Sequence, residues 1–187
     1  MSMGEPLLVP QVVSVESYLA DEARAGERHE FIDGAVYAMV GGTDRHNDLV
    51  GGLYMQLRTQ LKAPCRAYML DMKLRIEKSN STLFYYPDLL VSCSQRDKAA
   101  MLWKAEPTLL VEVLSPSTER IDRTEKLMAY TQIPSLQDYL LVAQDQTRIE
   151  VLSRQADWKA RLYGRGDAIA LGSLGVTLAL DDLYADT

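Results

Sequence analysis

No stretch of the 187-residue sequence repeats, and neither a low-complexity tract nor a block of like charge interrupts it. Without such punctuation no internal boundary is drawn, and a single domain over residues 1–187 is expected. Apolar runs stay well short of the roughly 20 residues that span a bilayer. The opening MSMGEPLLVPQ lacks the charged, apolar and small-residue succession of a signal peptide. These absences predict a cytoplasmic protein with no membrane partner. A basic surplus is also missing: 20 Lys and Arg face 26 Asp and Glu, for a net charge of -6. That balance argues against coating nucleic acid through a general electrostatic footprint, although it leaves room for a local basic groove. The two cysteines, Cys65 and Cys93, have no metal-ligand spacing and lie in strand-like apolar segments, so they are expected to be reduced and structural. With only two histidines and no G-x-S-x-G elbow, a Ser or Cys hydrolase is poorly supported.

What is present suits one substantial core, since 47% of the residues are hydrophobic. From Ser14, SVESYLADEARAG reads as a capped helix ending at Gly26. HEFIDGAVYAMV reads as a hairpin turning at Asp33 and Gly34. Leu49, Val50, Leu53, Leu57 and Leu61 recur at helical spacing, so HNDLVGGLYMQLRTQLK is the main early helix, its Gly51 and Gly52 permitting close packing. LDMKLRI, FYYPDLLVSC and TLLVEVLS follow as strands, the last two apolar enough to be central. A helix opening at Ser115 and Pro116 carries RIDRTEKLMAY and stops before Pro134; QDYLLVAQ, RIEVLSR and WKARLYG are further strands, and GVTLALDDLY adds a short one. The order predicts an α/β (α+β) fold with a mixed central sheet flanked by helices, in which a helical crossover joins two parallel strands.

One residue breaks the apolar pattern. Glu112 stands inside LLVEVLS, where a lone carboxylate in hydrocarbon would cost several kcal/mol, so it must be neutral, paired or bound to a cation. Asp88, also on a strand, precedes it with room for one strand and loop to return. Two carboxylates converging at a strand end suit a hard divalent ion such as Mg2+, which keeps several waters, and the carbonyl of Val113 could complete the donor set. Blander readings stand beside these: Asp88 as a turn residue after Pro87, Glu112 in a buried salt bridge, and Lys126 in an exposed pair with Asp122 four residues before it. In the sharper reading Lys126 leans over the strand end to stabilise charge on a phosphate, with Tyr130 on the same helical face.

The segments HEFIDG, YYPDLLV, LLVEVLSPST, DRTEKLMAY and LQDYLLV, in this order, resemble the motif series of the Uma-two family, bacterial domains of the PD-(D/E)XK restriction-endonuclease-like superfamily. The resemblance runs from the first helix to GVTLALDDLY. It implies a restriction-endonuclease-like core and an Mg2+-dependent (or Mn2+-dependent) endonuclease acting on nucleic acid, DNA being the expected substrate. It further implies Glu30, Asp88, Glu112 and Lys126 as catalytic residues, with Asp88, Glu112 and Val113 as the metal set. In one respect the sequence departs from the superfamily: the lysine two residues beyond the second acid is replaced by Leu114, and Lys126 takes the migrated role. His46 resembles a family position at the start of the second helix, where a capping or surface role serves as well, and it stays outside the core set. By analogy a homodimer is expected, since superfamily nucleases pair subunits to cut two strands. The rival reading is a catalytically silent interaction domain that retains the nuclease fold.

Overall fold

In the computed structural model residues 12–39, 41–79 and 81–185 are described; the opening MSMGEPLLVPQ, read above for a leader, lies outside them. Ser14 accepts a hydrogen bond from Ser17 N–H and so caps α1 (Val15–Glu22), which stops short of Gly26. The expected hairpin joins β1 (His29–Ile32) to β2 (Ala35–Ala38), and Asp33 and Gly34 take φ of 50° and 91°. Two successive left-handed residues give the turn whose twist matches that of the flanking strands.

Thr43 caps α2 (Asp44–Gln60), which buries Leu49, Val50, Leu53 and Leu57. Its two glycines differ. A Cβ on Gly52 would come within 2.9 Å of Leu183 Cδ1, whereas one on Gly51 would meet nothing within 4 Å. Only Gly52 thus serves close packing. Gly51→Ala is expected to stabilise the protein by about 0.5–1 kcal/mol, the usual helix-interior difference. A thermal unfolding midpoint unchanged or lowered in that variant would show that Gly51 is held for another reason.

The predicted strand FYYPDLLVSC is in fact two strands, β5 (Ser81–Tyr85) and β6 (Leu89–Ser92), in different sheets. Pro87 has no N–H for a ladder, so the chain leaves one sheet there and enters the other. LDMKLRI likewise starts its strand only at β4 (Lys73–Lys78), because Leu70 takes φ 54° and gives its N–H to Asp88 O at 3.0 Å. Three short elements escaped the sequence reading: β3 (Arg66–Met69), α3 (Gln95–Ala99) and β7 (Trp103–Lys104).

β8 (Pro107–Val113) and β9 (Asp138–Val142) are parallel neighbours in the register Glu112↔Leu141, as expected of a helical crossover. The connecting helix begins at Glu119 rather than at Ser115. It runs as α4 (Glu119–Ile121), a π-helical turn (Asp122–Lys126) and α5 (Leu127–Tyr130). β10 (Ile149–Ser153) and β11 (Ala160–Tyr163), both expected as strands, pair antiparallel. The tail holds a hairpin, β12 (Ala168–Leu171) and β13 (Val176–Ala179), and α6 (Leu180–Leu183), one strand and one helix more than expected.

The strands form a five-stranded sheet in the order β2-β1-β5-β4-β7, a six-stranded sheet in the order β11-β10-β9-β8-β6-β3, and the β12-β13 hairpin. Alternation along β8 directs Leu109, Val111 and Val113 into a core with α2 and the tail hairpin. Leu110 and Leu114 face a second core, where Leu74, Leu83 and Tyr85 of the five-stranded sheet meet Tyr130 and Tyr139. Glu112, between Leu110 and Leu114, points to that second side.

One expectation fails outright. Cys65 and Cys93 are not reduced but joined by a disulfide, because the antiparallel register Arg66↔Ser92 sets the flanking residues opposite each other. Among the described residues no helix is long and apolar enough to cross a membrane.

Candidate functional site

Four elements deliver the site. β8 carries Glu112, the break after β5 carries Asp88, β1 carries Glu30, and the π-helical turn carries Lys126. Glu112 is only 3% exposed, and its Oε1 accepts hydrogen bonds from Lys126 Nζ at 3.1 Å and from Tyr130 OH at 2.8 Å. Nζ also lies 3.1 Å from Asp122 Oδ1 and 3.4 Å from Glu30 Oε1. The paired reading of Glu112 is therefore realised, and Lys126 is its partner. The Asp122–Lys126 pair exists as well, but it is buried rather than exposed.

Asp88 is fixed from two sides. Its Oδ2 accepts the N–H of Val113 at 2.7 Å, and its Oδ1 lies 3.1 Å from His46 Nε2. The first contact ties Asp88 to the residue next to Glu112, near enough for its charge to act on the Glu112 carboxyl. The second draws in His46, which the sequence reading had left out. Glu30 is steadied by Tyr86, whose N–H reaches Oε1 at 3.4 Å, and Tyr86 in turn gives its hydroxyl to the buried Glu22 at 2.6 Å.

The electrostatics follow from burial. Desolvation pushes the Glu112 carboxyl well above its usual range; Lys126 opposes the rise, and Asp122, Asp88 and Glu30 add to it. Burial alone would lower Lys126, but Glu112, Glu30 and Asp122 outweigh it and hold the ammonium well above its ordinary value. Tyr130 is raised well above its ordinary value by burial and by Glu112, so it stays a hydrogen-bond donor. The bond to Asp88 raises His46 against the opposing effect of its burial. Glu30, Asp88, Glu112 and Asp122 together outnumber the cation Lys126 and the imidazole of His46 beside them. A further cation would offset that surplus.

Whether a metal suits these residues is decided by the donors. Among the described residues no group of three or more His, Cys, Asp or Glu side chains is placed to hold a metal ion. A closed zinc site is thereby disfavoured. Mg2+ asks less: one or two carboxylates, with water filling the remaining positions. Asp88 and Glu112 with a backbone carbonyl at Val113 are hard oxygen donors of that kind, and they fit Mg2+ or Mn2+.

Of the site residues named from sequence, Glu112, Lys126 and Glu30 meet around one ammonium, and Asp88 joins them through Val113. Asp122 and His46 are the site members that sequence reasoning placed elsewhere. The spacing Asp122, Lys126, Tyr130 at four-residue steps was the available signal for the first, since such residues share a helical face. His46 was marked by the family resemblance alone, which left a capping or surface role open.

Comparison with known proteins bears on the family and the fold. The Uma2 (Uma-two) family, described as "Putative restriction endonuclease", matches residues 15–181. Two uncharacterised proteins of Synechocystis sp. are similar over most of their length. One is 37% identical over 175 residues, 92% of this chain and 91% of the relative; the other is 32% identical over 151 residues, 79% and 84% respectively. The crystal structure of a "putative nuclease belonging to DUF820" from Anabaena variabilis shares the fold, with a TM-score of 0.73 at 15% identity, covering 92% of this chain and 98% of that one. The chain thus belongs to the Uma2 family of restriction-endonuclease-like proteins.

Proposed function

We propose that this protein is an Mg2+-dependent (or Mn2+-dependent) endonuclease that hydrolyses phosphodiester bonds in nucleic acid, DNA being the expected substrate. The observation that carries the reading is a buried carboxylate, Glu112, with a lysine over it and a second strand-end acid, Asp88, secured to its neighbour Val113. Asp88, Glu112 and the Val113 carbonyl would hold the ion. The register supports a role for that carbonyl: continuing Leu89↔Val111 by two residues sets Pro87 opposite Val113, and proline has no N–H to give it. When bound, such an ion supplies a lowered pKa for water and polarisation of the phosphoryl oxygen. Lys126, protonated across the neutral range, stabilises negative charge developing on the phosphate. Glu30, 3.4 Å from the same Nζ, accepts the proton of the attacking water or helps hold a second ion.

A catalytically silent interaction domain is the second reading, and one observation favours it: Lys126 and Tyr130 already satisfy Glu112 Oε1 without any metal. Cleavage of labelled single-stranded DNA, duplex DNA and RNA, with Mg2+ or Mn2+, separates the two when wild type is compared with Asp88→Ala. The endonuclease reading expects metal-dependent cleavage by wild type, reduced at least about a hundredfold in the variant. Folded wild type that cuts none of these substrates moves the assignment to the interaction domain. A cytoplasmic location and a homodimer that cuts both strands complete the proposal.

A further inference from the structure

Resting on the endonuclease reading, we propose that Asp122 is a positioning residue, which holds Lys126 Nζ in the place from which the lysine acts. Asp122 is itself 2% exposed, so it is no surface partner of the lysine. Its Oδ1 lies 3.1 Å from Nζ yet takes part in no hydrogen bond, so the contact is an ionic one, without the directed geometry of the Lys126–Glu112 bond. The ammonium thus meets carboxylates from β8, from β1 and from its own helix.

Asp122 differs from the other two acids in how it is anchored. Its backbone carbonyl accepts the hydroxyl of Tyr139 at 3.1 Å, and the Tyr139 ring meets that of Tyr130 edge-on at 5.2 Å between centroids. Tyr130 donates to the same Glu112 oxygen that Lys126 uses. A closed circuit results: Tyr139 to Asp122, Asp122 to Lys126, Lys126 to Glu112, Glu112 to Tyr130, and Tyr130 back to Tyr139. Asp122 and Lys126 sit at the two ends of the π-helical turn. Turns of this kind are rare and occur often at functional sites. The helix alone leaves a four-carbon lysine stem many rotamers, and Asp122 restricts them from the same backbone segment.

Since the cluster holds more carboxylates than cations, neutralising Asp122 leaves no cation without a partner. Asp122→Asn should therefore fold. With wild type active, this variant is expected to lower kcat about 10- to 100-fold, the range seen when a supporting contact to a reactive group is lost, with the KM for nucleic acid and the Mg2+ requirement unchanged. Asp122→Glu restores the charge and should recover part of kcat; it also serves as the second variant if the asparagine fails to fold. A readout free of turnover accompanies these: the 15N-lysine ammonium resonance that disappears in Lys126→Arg. In wild type it should be protected from exchange, and in Asp122→Asn shifted or exchange-broadened. An unmoved resonance together with an unchanged kcat overturns the proposal, whatever happens to thermal stability. If wild type cuts nothing, the endonuclease reading has failed. The resonance then still decides whether Asp122 places the ammonium: displacement supports it and an unmoved signal overturns it.

Discussion

Glu112→Gln is expected to lose metal-dependent cleavage by about 10³-fold while keeping, or gaining, stability at neutral pH. The sign comes from burial. Glu112 has a folded pKa well above its ordinary 4.5, so the fold favours its neutral form. Such a group stabilises the protein fully below the unfolded pKa, and that contribution is lost as the pH climbs through the folded pKa. Glutamine keeps the shape and one acceptor oxygen for Tyr130, but it does not titrate. The unfolding midpoint of the variant relative to wild type should accordingly rise between pH 4.5 and the neutral range. Lys126 does not reverse this, because Asp122 and Glu30 still face its Nζ in the variant. Thermal unfolding across pH 4 to 9, run alongside the cleavage assay, checks both halves. A variant less stable at every pH would make Glu112 a structural ion-pair partner, and one that still cleaves would remove it from the metal set.

Lys126→Met should have the largest effect on stability, about 3–5 kcal/mol, because it removes one member of a buried charge cluster and leaves the opposite charges uncompensated. The lysine is 6% exposed and lies within 3.4 Å of three carboxylates, so little water replaces it. Its folded pKa is raised, so its contribution is present in full below the unfolded value near 10.5 and is lost only as the pH rises beyond that. The deficit of the variant should hence be steady from neutral to mildly alkaline pH and shrink in acid, where the orphaned carboxylates take up protons. Urea denaturation of Lys126→Met, Glu112→Gln and the double variant measures the coupling, and the double variant is expected to recover a substantial part of the loss. Additive effects would mean that the two side chains are energetically independent despite their 3.1 Å contact.

The parts of the site legible in the sequence were those that violate a pattern. Glu112 interrupts an apolar strand, and Lys126 follows on the next helix, so both could be found by asking what an isolated charge needs. Glu30 came from the family resemblance, because an acid beside a hairpin strand violates nothing. Asp122 was visible but misjudged: at four residues from a lysine it has the spacing of a surface pair, and only the packing of the crossover helix between two sheets shows that its face is buried. The π-helical turn that carries both has no signature in residue type. On the scale of the fold, periodicity served for α2, β8 and β9, where burial is one-sided or complete. It failed at Tyr86-Pro87-Asp88, where the apolar character runs on while the ladder does not, and at β3, whose omission hid the pairing of Cys65 with Cys93.

The passage of the chain from one sheet to the other at Pro87 has a consequence for the order in which the cluster assembles during folding. Glu30 belongs to the five-stranded sheet and Glu112 to the six-stranded one, with Asp88 at the crossing and Lys126 between them. The division is unequal: the six-stranded sheet with its crossover helix brings together Glu112, Lys126 and the contact between Asp88 and Val113, and the five-stranded sheet adds Glu30. Docking of the two sheets therefore completes the carboxylate surround of the Lys126 ammonium rather than the pair of strand-end acids, which one sheet already brings together.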